Sequence, residues 1–124
     1  LRLGKRSLMR QHKDYAGALL FNHILGGYFG SRLMKNIREE KGLTYGIYSS
    51  LQPFANDSMW VIGADVNKEN RDLALREIRS ELQQLCQQPV PTDELTVARN
   101  HFLGSLQSEV ANPFSVTDKI KNLY

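Results

Sequence analysis

The sequence has a single cysteine, Cys86, and no long apolar run, and both shortages exclude whole classes of protein. One thiol excludes an intrachain disulfide framework and any metal site built from several cysteines. No apolar run reaches the roughly 18 residues that a transmembrane helix needs, so we expect no membrane span. No signal-peptide pattern is present either, but the chain begins at Leu1 rather than Met. We therefore expect a fragment of a longer protein, and the sequence leaves its compartment undetermined.

The common signatures of metal and nucleophilic catalysis are also missing. The histidines do not occur in H-E-x-x-H or H-x-x-E-H, the spacings that place two imidazoles on one helix face around zinc. The Gly-x-Ser-x-Gly pattern of an activated serine is absent as well. Cys86 falls in the apolar stripe of a predicted helix and is interpreted as a small hydrophobic residue. We predict no metal site and no catalytic residue in this chain, with His23 as a packed, hydrogen-bonded histidine.

The glycines do not form a nucleotide-binding loop. Gly26, Gly27 and Gly30 precede a predicted helix, whose first free amides attract anions. A phosphate-binding loop needs a lysine after its last glycine, and here Ser31 and Arg32 follow instead. A turn between two helices accounts better for this glycine cluster.

The charge is mildly basic, with 16 Lys and Arg against 13 Asp and Glu in 124 residues. The positive charges are mixed with acidic residues except near the start, at Arg2, Lys5, Arg6, Arg10 and Lys13. A nucleic-acid surface is usually a clustered basic face with interleaved aromatic residues. A solvated basic segment is therefore the favoured interpretation, and a nucleic-acid-binding module is the weaker alternative.

Hydrophobic periodicity predicts one α+β domain, residues 1–124, with a small antiparallel sheet and helices packed on one of its faces. Residues 1–3 could end a strand, and residues 45–52 and 59–66 should pair as a hairpin. The predicted helices run from Asp14 to Leu25, from Ser31 to Gly42, over 68–88, from Thr92 and from Asn112. The first helix is apolar nearly all round and should be buried. Strict alternation places Tyr45, Ile47, Ser49 and Leu51 on one face of their strand.

Arg38 and Tyr45 flank the turn between the second helix and the first strand of the hairpin. Arg38 lies on the last helical turn, Gly42 reverses the chain, and Tyr45 opens the strand. A guanidinium and a phenol aimed at one oxygen can hold a peptide carbonyl or stabilise an oxyanion. The simpler alternative is a solvated arginine beside a strand tyrosine.

The segment NHILGGYFGSRLMKNIREEKGLTY, residues 22–45, resembles the C-terminal-half domain of the pitrilysin-type (M16, inverzincin) zinc metallopeptidases. The later order of a hairpin, a long helix and a helix opening at Thr92 fits as well. In that family, α+β domains close like a clamshell around a peptide. One half binds zinc through H-x-x-E-H and a downstream Glu, and the other carries an arginine–tyrosine pair that contacts the substrate.

The resemblance implies that Arg38 and Tyr45 bind a peptide substrate. It also implies that zinc is bound by a domain absent from this chain, in the same polypeptide or in a partner subunit. The isolated chain would then have no peptidase activity, and as a fragment it could form homo-oligomers. The alternative within the family is a non-catalytic scaffold subunit.

Overall fold

The computed structural model describes residues 1–111, which form an α+β unit around a three-stranded antiparallel sheet. The strands are β1 (Arg2–Arg6), β2 (Thr44–Pro53) and β3 (Ser58–Val66). The α-helices are α1 (Tyr15–Asn22), α2 (Arg71–Gln87) and α3 (Thr92–Ala111). A first π-helix (His23–Gly27) continues α1, a second π-helix (Met34–Glu40) precedes β2, and a 3-10 turn (Lys68–Asn70) leads into α2. The helix predicted from Asn112 lies outside the described residues.

The sheet has the order β1-β3-β2, and all of its pairs are antiparallel. The hairpin predicted from the alternating runs is confirmed, since β2 and β3 pair from Pro53↔Ser58 back to Thr44↔Val66. The strand predicted at the start of the chain is present and runs to Arg6. The predicted α+β class with a small antiparallel sheet is therefore confirmed.

The core lies between one face of the sheet and the helices. Leu25, Leu33, Ile37 and Ile78 are fully buried there and meet Ile62 of the central strand. On the opposite face, the ring of Tyr48 lies over Gly63, and the phenol accepts a 3.2 Å hydrogen bond from Arg2 Nη1. None of the described helices is both long and apolar enough to cross a membrane.

The predicted burial of the first helix is wrong for most of its length. No residue of α1 is fully buried, and burial begins only in the π-helical turn at His23. The side chain of Asp14, the predicted cap, makes no hydrogen bond to the helix end. The physical reason is incomplete cover: α1 contacts β2 and α3, and Phe21 meets Trp60 of β3, but Ala16 and Gly17 stay exposed. The helix is therefore apolar on more sides than the other described residues, within 1–111, cover.

Cys86 is also misplaced by the sequence pattern, because it is exposed. Its neighbour Leu85 is buried together with Ala74 and Ile78. Successive helical residues differ in direction by about 100°. One position therefore separates a core side chain of α2 from a solvent-facing one.

Candidate functional site

A tight turn joins the second π-helix to β2 and brings Arg38 close to the start of the strand. Gly42 adopts the left-handed conformation with φ of 59°, which glycine reaches without a steric penalty. The amide of Leu43 then donates a 2.9 Å hydrogen bond to the carbonyl of Ile37. The glycine stop predicted from the sequence therefore closes the helix as expected.

A β-bulge interrupts the ladder directly after this turn. Thr44 pairs with Val66 and Ile47 pairs with Ala64, so two residues of β2 face a single residue of β3. Thr44 Oγ1 lies 2.8 Å from the carbonyl oxygen of Gly46, inside the bulge. The bulge corrects the predicted alternation, because Tyr45 is 96% exposed whereas Ile47 is 4% exposed. Bulges commonly re-aim a side chain in this way.

Arg38 is held on two sides. Its Nε donates a 2.9 Å hydrogen bond to the backbone carbonyl of Tyr45, and its guanidinium carbon lies 5.0 Å from the centre of the Phe29 ring. Within residues 1–111 its two terminal nitrogens have no hydrogen-bond partner. The structure thus brings Arg38 to Tyr45 through the main chain, while the phenol itself points into solvent.

Sequence reasoning missed Phe29 as a neighbour of Arg38. Phe29 lies in the glycine turn before the second π-helix, and its side chain is 62% exposed. An aromatic residue beside the glycines was the available signal, but the stacking with Arg38 depends on the tertiary fold. The site therefore contains three side chains: Phe29, Arg38 and Tyr45.

Comparison with known proteins places this architecture in a family. Residues 1–102 match the family model of the peptidase M16 inactive domain. The chain belongs to this family. The resemblance stated from residues 22–45 is therefore confirmed at the level of the domain.

Individual relatives agree with this assignment. The chain is 28% identical over 104 residues to an uncharacterized zinc protease, YmxG, of Bacillus subtilis, covering 84% of this chain and 25% of that protein. It is 28% identical over 95 residues to a non-peptidase homolog of Helicobacter pylori, covering 75% of this chain and 22% of that protein. The crystal structure of a peptidase M16 inactive domain from Pseudomonas fluorescens superposes with a TM-score of 0.78 at 32% identity, covering 86% of this chain and 26% of that one. The chain thus spans about a quarter of the length of these relatives.

The described part of this M16 domain contains no group of three or more His, Cys, Asp or Glu side chains that could hold a metal ion. His23 and His101 do meet, but His23 Nε2 lies 3.0 Å from His101 Nδ1, so the two ring nitrogens bond to each other. The residues described therefore do not fit a zinc site.

The predicted packed histidine, His23, joins three segments of the domain. It is 7% exposed, stacks on Tyr28 with ring centres 4.5 Å apart, and contacts His101 of α3. Burial, and secondly the neighbouring His101, lowers the pKa of His23. These contacts pin the glycine turn that carries Phe29 onto the body of the domain.

A polar network fixes the second π-helix from its inner side. Asn36 is 8% exposed and donates hydrogen bonds of 3.0 Å to Glu77 and 2.9 Å to Glu81 of α2. The Asn36 bond, with Lys41, lowers the pKa of Glu77, whereas burial raises the pKa of Glu81. Because both carboxyl groups accept hydrogen bonds from the side-chain amide of Asn36, the π-helix that carries Arg38 has a fixed position on α2.

Proposed function

We propose that this chain is the substrate-binding domain of a longer M16-type zinc peptidase, in which Arg38 and Tyr45 hold the backbone of a peptide. The observation that carries the proposal is the hydrogen bonding of the Arg38 guanidinium. Its Nε is fixed by the Tyr45 carbonyl at 2.9 Å, while none of residues 1–111 hydrogen-bonds its terminal nitrogens, which leaves them available for a ligand. The fully charged guanidinium offers planar donors in a fixed direction, as carbonyl recognition requires.

The phenol of Tyr45 supplies the second donor of the proposed site. Its side chain is 96% exposed, so its hydroxyl can reach a ligand without rearrangement of the core. A donor pair directed at a carbonyl oxygen becomes more effective as negative charge develops on that oxygen. Zinc and the water-activating base would come from a part of the protein outside this chain, as the zinc-protease names of the relatives suggest.

The test is peptide hydrolysis by the full-length protein with Arg38→Ala and Tyr45→Phe. We expect kcat/KM to fall about tenfold or more for Arg38→Ala, since a hydrogen bond to a charged group is worth about 1.5–3 kcal/mol. Zinc content should stay the same in both variants. Arg79→Ala, which removes an exposed arginine of α2, is the matched control and should have no effect. Unchanged kcat/KM in both site variants would refute the proposal.

A non-catalytic role in a peptidase-like assembly is the second candidate. It is favoured by the Helicobacter pylori relative, whose name describes a non-peptidase homolog. The two functions differ in whether the full reading frame, or a neighbouring gene, encodes H-x-x-E-H.

A nucleic-acid-binding role has weaker support, because Arg6 of the basic segment is paired with Asp57 at 2.7 Å. A binding titration with salt would show a steep slope if phosphate contacts dominated.

A further inference from the structure

We propose that Phe29 is a positioning residue of this site, and that its ring holds the Arg38 guanidinium in the orientation that binds a peptide. The inference rests on the proposed function of Arg38. It adds a residue of the glycine turn to the arginine and the tyrosine. The ring acts on the substrate through Arg38 rather than by contact of its own.

Two contacts hold the Arg38 guanidinium. The hydrogen bond from Nε to the Tyr45 carbonyl fixes one edge of the group but leaves rotation about that bond. The guanidinium carbon lies over the Phe29 ring, 5.0 Å from the ring centre. A cation over an aromatic face within about 6 Å is attracted by the ring quadrupole. The two contacts together restrict the position of the guanidinium and its rotation.

The packing of Tyr28 holds the turn directly before Phe29. Tyr28 is extended, with φ of −151° and ψ of 173°, and Phe29, the residue after it, is exposed. Tyr28 turns inward and stacks on buried His23 with an interplanar angle of 4°. A side chain at Gly30 would lie 2.8 Å from the Tyr28 ring, so the turn is closely packed there. Phe29 is thereby directed outward, onto Arg38.

The Phe29 ring lies outside the core of the described residues. Phe29 is 62% exposed, and it does not belong to the buried apolar cluster of the described residues. A leucine at this position keeps most of the apolar volume but has no π face. Replacement should therefore change the placement of Arg38 without unfolding the domain.

The experiment is a double-mutant cycle on the full-length protein, with kcat/KM for a fluorogenic peptide as the readout. Phe29→Leu should lower kcat/KM roughly two- to fivefold, the range expected for a partly exposed cation–π contact. Phe29→Trp, which keeps an aromatic face, should retain wild-type activity. In the Arg38→Ala background, Phe29→Leu should have no further effect. Phe54→Leu is the matched control, since Phe54 is 57% exposed in the loop at the other end of the hairpin.

The possible results separate the two proposals. If Arg38→Ala lowers kcat/KM but Phe29→Leu does not, the positioning role is refuted and the proposed function stands. An equal loss from Phe29→Leu with and without Arg38 would also overturn the positioning role, because the ring would then act independently. If Arg38→Ala has no effect, this inference falls, and the proposed function falls as well if Tyr45→Phe also leaves kcat/KM unchanged.

Discussion

The same substitution, glycine to alanine, should have opposite effects at Gly17 of α1 and at Gly26 of the π-helix that continues it. At Gly17 an added Cβ meets nothing within 4 Å. At Gly26 it would lie 2.8 Å from Ser49 Cβ and 2.9 Å from the Ser49 backbone nitrogen. Carbon atoms pack best at about 3.5–4.0 Å, so Gly26→Ala requires the helix and β2 to separate. The helix cannot move freely, because Asn22 Nδ2 also donates a 3.1 Å hydrogen bond to the Ser49 carbonyl.

The expected magnitudes follow from these surroundings. Gly17→Ala should stabilise the protein by roughly 0.5–1 kcal/mol, because alanine has the higher helix propensity. Gly26→Ala gains part of the same unfolded-state entropy but adds an overpacking cost of about 1–3 kcal/mol. We therefore expect a net loss of about 1–2 kcal/mol for Gly26→Ala. Neither the Cβ nor the backbone nitrogen of Ser49 moves when a side chain changes rotamer, so a rotamer change at Ser49 cannot relieve these two contacts.

Urea denaturation followed by tryptophan fluorescence measures both variants under the same conditions. Trp60 is the single tryptophan of the chain, and its Nε1 donates a 2.7 Å hydrogen bond to Ser49 Oγ. The probe therefore lies beside the contact that is being perturbed. The midpoint should rise for Gly17→Ala and fall for Gly26→Ala. Midpoints that shift in the same direction would show that the helix–strand contact at Ser49 is not as close as described.

Two further predictions concern pH and charge, both measured as urea midpoints. Burial and His101 lower the pKa of His23, so the stability it contributes is present above the ordinary value of about 6.5 and is lost as pH falls below it. His23→Phe should lose less stability than wild type between about pH 8 and pH 5, and an equal loss would contradict this linkage. Burial raises the pKa of Glu81, so stability falls as pH rises through that raised value, and Glu81→Gln should be stabilising at neutral pH. The lowered pKa of Glu77 contributes stability at pH values above the ordinary carboxyl range, and this contribution is lost in acid. Glu77→Gln should therefore be destabilising at neutral pH. Urea midpoints that shift in the same direction for Glu77→Gln and Glu81→Gln would refute this contrast.

Local signals predicted the hairpin and the end of the second helix because both depend on residues close in sequence. Gly42 can take a left-handed conformation, and the run from Pro53 to Ser58 breaks two alternating segments. The burial of α1 and of Cys86 could not be predicted in the same way. Periodicity indicates which side chains share a helix face, but how much of that face is covered depends on the packing of distant elements. The contact of His23 with His101, 78 residues away in the sequence, has the same origin.

The seven-residue spacing between Arg38 and Tyr45 does not by itself explain their contact. In a regular strand, Tyr45 would share the face of Ile47 and point toward the core. The bulge between Thr44 and Ile47 removes Tyr45 from that alternation, and it has no paired residue on β3. Its carbonyl then accepts the bond from Arg38, and its ring enters solvent. Exposure of the phenol and anchoring of the arginine are thus two consequences of one extra residue, so a change that restored the regular ladder would remove both.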